Sequence, residues 1–166
     1  MKFAVRSILF FLSVSAPCSS AIAQTFPTAT VISTGDGDTL RVNQGGKTIS
    51  VRLSCIDTPE WNQPGGREAA QRLRQLLSPG RTVQIRPINL DHRQRTVAEL
   101  YLNGRSLNLQ LVQEGQAVVY PQYLRNCRST QNQYLQAEQQ AKSARLGFWA
   151  QPNPIMPWKW RQQHRR

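Results

Sequence analysis

Acidic side chains are scarce in this chain, and four of them stand close together. The sequence holds 9 Asp and Glu against 21 Lys and Arg. The interval 36–60 contains Asp36, Asp38, Asp57 and Glu60, with Arg52 between them. Carboxylate oxygens are the ligands that calcium and magnesium prefer, and a guanidinium suits an anionic group such as a phosphodiester. This interval is therefore the candidate for metal-assisted chemistry on an anionic substrate.

Each of these residues also has a purely structural interpretation. Asp-Gly is a common turn signal, so Asp36 and Asp38 taken alone are more simply a polar turn. Arg52 interrupts an apolar strand, and strict alternation puts it on the face opposite Asp57. A bulge, or the bend ahead of Pro59, must re-aim one of them if both are to share a site.

The elements that must position these side chains are mostly strands. Patterns of β-branched and apolar residues predict strands at 28–33, 39–42, 47–56, 82–88 and 96–102. Helical spacing predicts helices at 67–77, around 107–112 and at 134–142. The order βββ-α-ββ-α-α is mainly β with α, and it is that of the five-stranded OB-fold barrel, which commonly binds oligonucleotides or oligosaccharides.

The first 23 residues have the pattern of a signal peptide. Two basic residues precede the apolar run 8–14, and 21–23 (AIA) is a small-x-small cleavage site. The run is too short to span a bilayer. We therefore expect a mature chain from Gln24, secreted or periplasmic and without a membrane span. Lipid attachment at Cys18 is the alternative, which the preceding Pro17 fits poorly.

The net charge indicates polyanionic partners. The formal charge is +12, and removal of residues 1–23 takes away only two basic residues. Such a balance favours nucleic acid, an anionic membrane face or acidic polysaccharide. The length indicates one domain, which we assign to residues 24–150. The sequence leaves the oligomeric state open, and we take a monomer as the default.

Two cysteines remain in the mature chain, and their state is open at this point. An exported compartment permits Cys55 and Cys127 to pair, which would tie the barrel to the C-terminal region, but two free thiols are equally compatible with the sequence. The chain has no CxxC motif and only two histidines, His92 and His164, which speaks against structural zinc.

The tail at 151–166 is rich in proline and tryptophan and ends in basic residues. Its prolines exclude a regular helix through its first half. Trp158 and Trp160 either pack on the barrel, the preferred interpretation, or stack on nucleic-acid bases. The basic end would raise non-specific affinity for nucleic acid in a salt-sensitive way.

Ordered motifs over residues 31–150 resemble the staphylococcal nuclease family. They are Asp38-Thr39, VRLSCIDTPE, DHRQRTVAELYLNG, LNLQLVQEGQAVVY and YLQAEQQAKSARLGFWA. Such a series is more specific than any single motif. The resemblance implies hydrolysis of DNA and RNA, with single-stranded substrate preferred and 3′-phosphate products.

The resemblance also implies roles for single residues. Asp38, Asp57 and the backbone carbonyl of Thr58 would hold calcium, with magnesium or manganese less expected. The catalytic residues would be Arg52, Glu60 and Arg95, with Glu60 accepting a proton from water or orienting it. The substrate-binding residues would be Arg52, Arg93, Arg95, Tyr120 and Tyr123.

Two departures from the family pattern concern substrate contacts. Arg93 stands where the prototype of the family has a tyrosine beside bound nucleotide. The loop 61–66 is shorter than the corresponding loop of the prototype. Two other functions are also compatible with the barrel. One is a non-catalytic nucleic-acid-binding module, and the other is a carbohydrate- or wall-binding module that would leave the charged residues without a role.

Overall fold

The computed structural model describes residues 26–164. The predicted signal peptide lies outside this range, as do the last two arginines. Eight strands and four α-helices follow one another along the described chain. They are β1 (Thr28–Thr34), β2 (Thr39–Gln44), β3 (Lys47–Leu53), β4 (Ile56–Asp57), α1 (Gly66–Leu76), β5 (Thr82–Leu90), β6 (Thr96–Leu102), β7 (Arg105–Ser106), α2 (Leu107–Gln113), β8 (Val118–Val119), α3 (Gln131–Ser143) and α4 (Pro157–Gln163).

Five strands close into a barrel. They are hydrogen-bonded in the order β3-β2-β1-β5-β6, and β3 also pairs with β6 in parallel, which joins the two edges. The alternation of apolar and polar residues explains which side chains of each strand point into the barrel. In β2, Leu40 and Val42 are buried while Arg41 and Asn43 are exposed. The prediction of a five-stranded OB-type barrel is confirmed.

The prediction of the third strand is wrong at the C-terminal end of the strand. A continuous strand over 47–56 was expected, but β3 stops at Leu53 and the chain turns at Cys55, whose φ is 65°. The next two residues form β4, which leaves the barrel and pairs with β8. A residue with an L side chain seldom adopts this left-handed conformation, so the local pattern of β-forming residues did not reveal the break.

The helix α3 contributes to the main core and to a second, smaller one. Tyr134 and Ala137 of α3 belong to the main core, whereas Ala141 packs with Phe148 and Trp149. A disulfide joins Cys55 to Cys127, with 6.4 Å between their Cα atoms. The pairing that the sequence left open is therefore made. No helix within residues 26–164 is both long enough and apolar enough to cross a membrane.

The tail folds back instead of extending away. Its proline-rich first part is irregular, as expected, and α4 then begins at Pro157, a residue that suits the first turn of a helix. Met156 and Trp158 pack against the second core. The preferred interpretation was packing of the tryptophans on the barrel, but Trp158 packs on the second core, which contains Val118 and Ala141 and no residue of a barrel strand.

Candidate active site

Arg52 joins two buried carboxylates. Its Nη1 donates to Asp38 Oδ1, and its Nη2 donates to Asp57 Oδ1 over 2.7 Å. The side chains of Asp38 and Asp57 are 1% and 0% exposed, whereas Arg52 is 19% exposed. Because the two terminal nitrogens belong to one rigid guanidinium, the two carboxylates must lie side by side.

Local structure explains how these three residues meet. Arg52 lies opposite Thr39 in the β2–β3 pairing, next to Asp38. The backbone carbonyl of Asp38 accepts a hydrogen bond from Leu53 N–H at 2.8 Å. The break at Cys55 then turns the chain, and Asp57 reaches the side on which Arg52 lies. The sequence required a bulge, or a bend ahead of Pro59, to bring Arg52 and Asp57 into one site. The structure has this bend at Cys55, before both Asp57 and Pro59.

Gly37 allows the turn before β2 to sit close to its neighbours. A Cβ atom at this position would lie 2.9 Å from the Ala69 side chain and 3.0 Å from that of Thr58. The Asp-Gly pair is a turn signal in the sequence, and the structure adds close approach to neighbouring side chains as the role of Gly37. Asp36 accepts a hydrogen bond from the Thr39 hydroxyl, as expected of a turn residue.

The electrostatics of the two buried carboxylates depend on burial and on the charges around them. Burial raises the pKa of Asp38 to about 7, with Arg52 opposing this and the charges of Asp36 and Asp57 adding to it. A divalent cation would relieve this repulsion, and carboxylate oxygens are its preferred ligands. Within residues 26–164, no group of three or more acidic, His or Cys side chains could hold an ion. Backbone carbonyl and water ligands would have to complete the shell, as the expectation for Thr58 allows.

Glu60 lies at the edge of this position and is held by a residue of the tail. Arg161 Nη1 donates to Glu60 Oε1 at 2.7 Å and to Asp57 Oδ1 at 3.0 Å. Its Nη2 donates to Asp57 Oδ2 at 2.7 Å. One guanidinium from α4 thus spans a predicted metal ligand and the predicted proton acceptor.

Arg95 lies in the same cleft and is oriented by Asp91. The Asp91 carboxylate accepts hydrogen bonds from Arg95 Nε at 2.8 Å and from the backbone N–H of Arg95 at 2.9 Å. Burial opposes the charge on Asp91, but these hydrogen bonds outweigh it and lower the pKa of Asp91. Arg95 therefore has a fixed orientation at the start of β6.

Arg52, Glu60, Arg95 and Arg161 line a cleft of about 730 Å³, whereas the buried Asp38 and Asp57 do not line it. Among the residues lining it are all five of the predicted substrate-binding residues, Arg52, Arg93, Arg95, Tyr120 and Tyr123. Tyr120 has one ring face covered by Trp158, with ring centroids 5.1 Å apart. Tyr123 is 45% exposed, and it is thus the more accessible of the two rings.

Sequence reasoning missed two residues of this site. Asp91 was part of a quoted motif without a role, although its spacing of four from Arg95 and its place in a turn suggest an ion pair. Arg161 was counted only among the basic residues of the tail. Pro157 gave a signal for a helix start, but no local pattern links Arg161 to Asp57, more than 100 residues earlier.

Comparisons with known proteins identify a family and several relatives. Residues 50–151 match the family model described as staphylococcal nuclease homologue. The chain is 35% identical to an uncharacterized endonuclease of Haemophilus influenzae over 165 residues, which cover 99% of this chain and 87% of the relative. It is 38% identical to a micrococcal nuclease of Shigella flexneri over 135 residues, covering 76% and 75%. An uncharacterized endonuclease of Escherichia coli O157:H7 is 32% identical over 132 residues, covering 79% and 81%.

Proposed function

The chain belongs to the staphylococcal nuclease family, and from this we propose that it is an exported calcium-dependent nuclease that hydrolyses phosphodiester bonds of DNA and RNA. The observation that carries the proposal is the bridge from Arg52 to Asp38 and Asp57. It holds two buried carboxylates directly behind Arg52, which lines one cleft together with Glu60 and Arg95. A module that only bound nucleic acid would gain nothing from buried acids facing an anionic ligand.

The donor set indicates where the ion would be held. Asp38, Asp57 and the backbone carbonyl of Thr58 would bind it, with water completing the shell of about 6 to 8 oxygens that calcium takes. When bound, the ion would supply a positive charge against which phosphate charge develops.

The remaining groups act on the substrate and on water. Arg52 has a planar guanidinium that binds phosphate oxygens through two donors, and Arg95 presents a second guanidinium in the same cleft. Together they stabilise the charge that builds on the phosphate during attack. Glu60 is the partly exposed carboxylate beside the metal ligands, and it accepts the proton of the attacking water or orients that water.

The experiment is hydrolysis of denatured DNA by the mature chain with calcium, with magnesium and with chelator. We expect turnover with calcium that falls at least about 100-fold in Glu60→Gln and in Arg52→Ala. Matched controls are Glu68→Gln and Arg105→Ala, which remove the same charges at exposed positions outside the cleft. Tight binding of DNA without turnover in any metal would show a nucleic-acid-binding module instead.

The finer features of the proposal have their own measurements. Mass spectrometry of the oligonucleotide products should find a phosphate on each new 3′ end. Matched single-stranded and duplex substrates, in DNA and in RNA, should show faster cleavage of the single strands. Mass spectrometry of the exported protein should find Gln24 at its N-terminus, and gel filtration should find a monomer.

A further inference from the structure

Arg161 occupies the same carboxylates that the proposed function assigns to the metal ion and to proton transfer. Its guanidinium contacts both oxygens of Asp57 and one oxygen of Glu60, with distances between 2.7 and 3.0 Å. Asp57 Oδ1 also accepts from Arg52. Because a carboxylate oxygen accepts about two hydrogen bonds, Asp57 Oδ1 is fully used and Oδ2 is partly used.

The position of Arg161 is set by the packing of its helix. Pro157 is buried, and Trp158 stacks on Tyr120 with an angle of 10° between the rings. Trp160 Nε1 donates to Asn62 Oδ1 at 3.3 Å, and Gln63 Nε2 donates to the carbonyl of Ile155 at 2.5 Å. These contacts hold α4 over the loop that follows Asp57 without any help from the guanidinium.

A metal ion and Arg161 cannot share Asp57 favourably. A divalent cation bound to Asp57 would lie within a few ångströms of the Arg161 guanidinium. The Asp57 side chain is completely buried. Like charges at such separations repel strongly where water is excluded. Arg161 is itself 34% exposed and lines the cleft, so its side chain has space to turn away when a cation binds.

The same contact keeps Glu60 from acting on water. Oε1 of Glu60 accepts a charged hydrogen bond from Arg161, so in this arrangement Arg161 occupies the oxygen that would contact water. Loss of this contact would leave the Glu60 carboxylate accessible from the cleft, which it lines.

We propose that Arg161 is a tethered cation that competes with the metal ion for Asp57 and Glu60, and so sets the metal concentration at which the site becomes active. This inference rests on the proposed function for the identity of the metal ligands. It assigns the tail a role in regulating the site, in addition to its packing on the fold.

The test is calcium affinity, measured by isothermal titration calorimetry on the metal-free mature chain. Arg161→Gln should bind calcium at least about tenfold more tightly than the unchanged chain, because the competing charge is gone. Lys159→Gln is the matched control: it removes the same charge two residues away, from an exposed side chain, and should change the affinity less than about twofold. Arg161→Lys retains the charge but has a single ammonium group in place of the guanidinium. Its calcium affinity should lie between those of Arg161→Gln and Lys159→Gln.

Thermal unfolding gives a second measurement that does not depend on activity. In chelator, Arg161→Gln should unfold at a lower temperature than Lys159→Gln, since Asp57 and Glu60 have lost a partner. Calcium should raise the unfolding temperature of Arg161→Gln by more than that of Lys159→Gln, because a ligand that binds more tightly stabilises the folded state more.

The outcomes separate this inference from the proposed function. Calcium-dependent hydrolysis with equal calcium affinities in Arg161→Gln and Lys159→Gln would overturn the inference and leave the function standing. Tighter calcium binding by Arg161→Gln in a protein that cleaves no nucleic acid would support the inference and overturn the function. Unchanged calcium affinity combined with slower hydrolysis at saturating calcium would place Arg161 on the substrate, which also contradicts the inference.

Discussion

The backbone N–H of Thr58 donates a hydrogen bond of 3.1 Å to the buried carboxylate of Asp38. This bond joins the turn that precedes β2 to the residue that follows β4. It is separate from the ion pair with Arg52, which uses the other oxygen of Asp38. Asp38 therefore has both a structural and an electrostatic role, and the two are separable by mutation.

Replacement of Asp38 separates these roles. Asp38→Asn keeps an oxygen that accepts from Thr58 and removes a charge that burial disfavours, so its free energy of unfolding should stay within about 1 kcal/mol of the parent. Asp38→Ala removes the acceptor and should cost about 2 kcal/mol more. Both should lose calcium binding by calorimetry. Urea unfolding in chelator measures the stabilities, and equal losses in the two variants would contradict the separation.

The contact between Arg72 and Glu114 predicts a pH dependence of stability. Arg72 donates to both oxygens of Glu114 at 2.6 Å, and these hydrogen bonds lower the pKa of Glu114 below its ordinary value of 4.5. Because folding lowers the pKa of Glu114, the pair contributes fully to stability above the pKa that Glu114 has in the unfolded chain. This contribution is lost as the pH falls through the pKa of Glu114 in the folded chain.

Both side chains of this pair are partly exposed, so the contribution should be about 0.5 to 1 kcal/mol. Urea unfolding should find Glu114→Gln less stable than the parent by this amount at pH 7, with a smaller deficit near pH 3. Glu68→Gln, at an exposed position in α1, is the control. A deficit in Glu114→Gln that is the same at both pH values would show that the charge is not responsible.

Glu99 is a buried carboxylate with a structural role. It is 0% exposed and accepts hydrogen bonds from Arg86, Thr130 and Tyr134, the last at 2.9 Å. Glu99→Gln should cost about 3 kcal/mol in the free energy of unfolding, because it leaves the Arg86 charge without its partner. The specific activity of the folded fraction should be unchanged, since Glu99 does not line the cleft. A loss of activity without a loss of stability would contradict this assignment.

The disulfide should contribute strongly to stability. It connects residues 72 apart in sequence, and closing a loop of this length contributes about 4 kcal/mol in the chain-entropy model. The mature chain with Cys55→Ser and Cys127→Ser should lose about this amount in urea unfolding. A thiol assay on the denatured, unreduced parent checks the pairing, and two titratable thiols there would contradict it.

The sequence predicted the barrel well because its strands follow a simple rule. Alternating burial, as at Leu40 and Val42, is a local property, and the order of strands and helices then limits the topology. The proximity of Asp38 and Arg52 follows from the same pairing, since Asp38 directly precedes β2 and Arg52 lies on the neighbouring β3. The break between β3 and β4 was not predictable, because Cys55 in a left-handed conformation has no local signature.

The contribution of the tail could not be predicted for a different reason. Arg161 meets Asp57 and Glu60 only because α4 docks through Trp158 and Trp160 on surfaces formed by distant segments. Such a contact depends on the shape of the folded domain, and a single sequence carries no period or spacing that reports it. The sequence favoured packing of the tail but placed it on the barrel, and its consequence for the cleft required the structure.

The link between Cys55 and Cys127 also determines what happens to a molecule that has been cut. The turn at His92 to Gln94 is exposed and lies between the two cysteines, and exposed turns are preferred points of proteolytic cleavage. A break there produces two fragments that stay covalently joined, with β5 and β6 still paired on either side of it. In oxidising surroundings rich in proteases, a nicked molecule can therefore remain a single assembled particle.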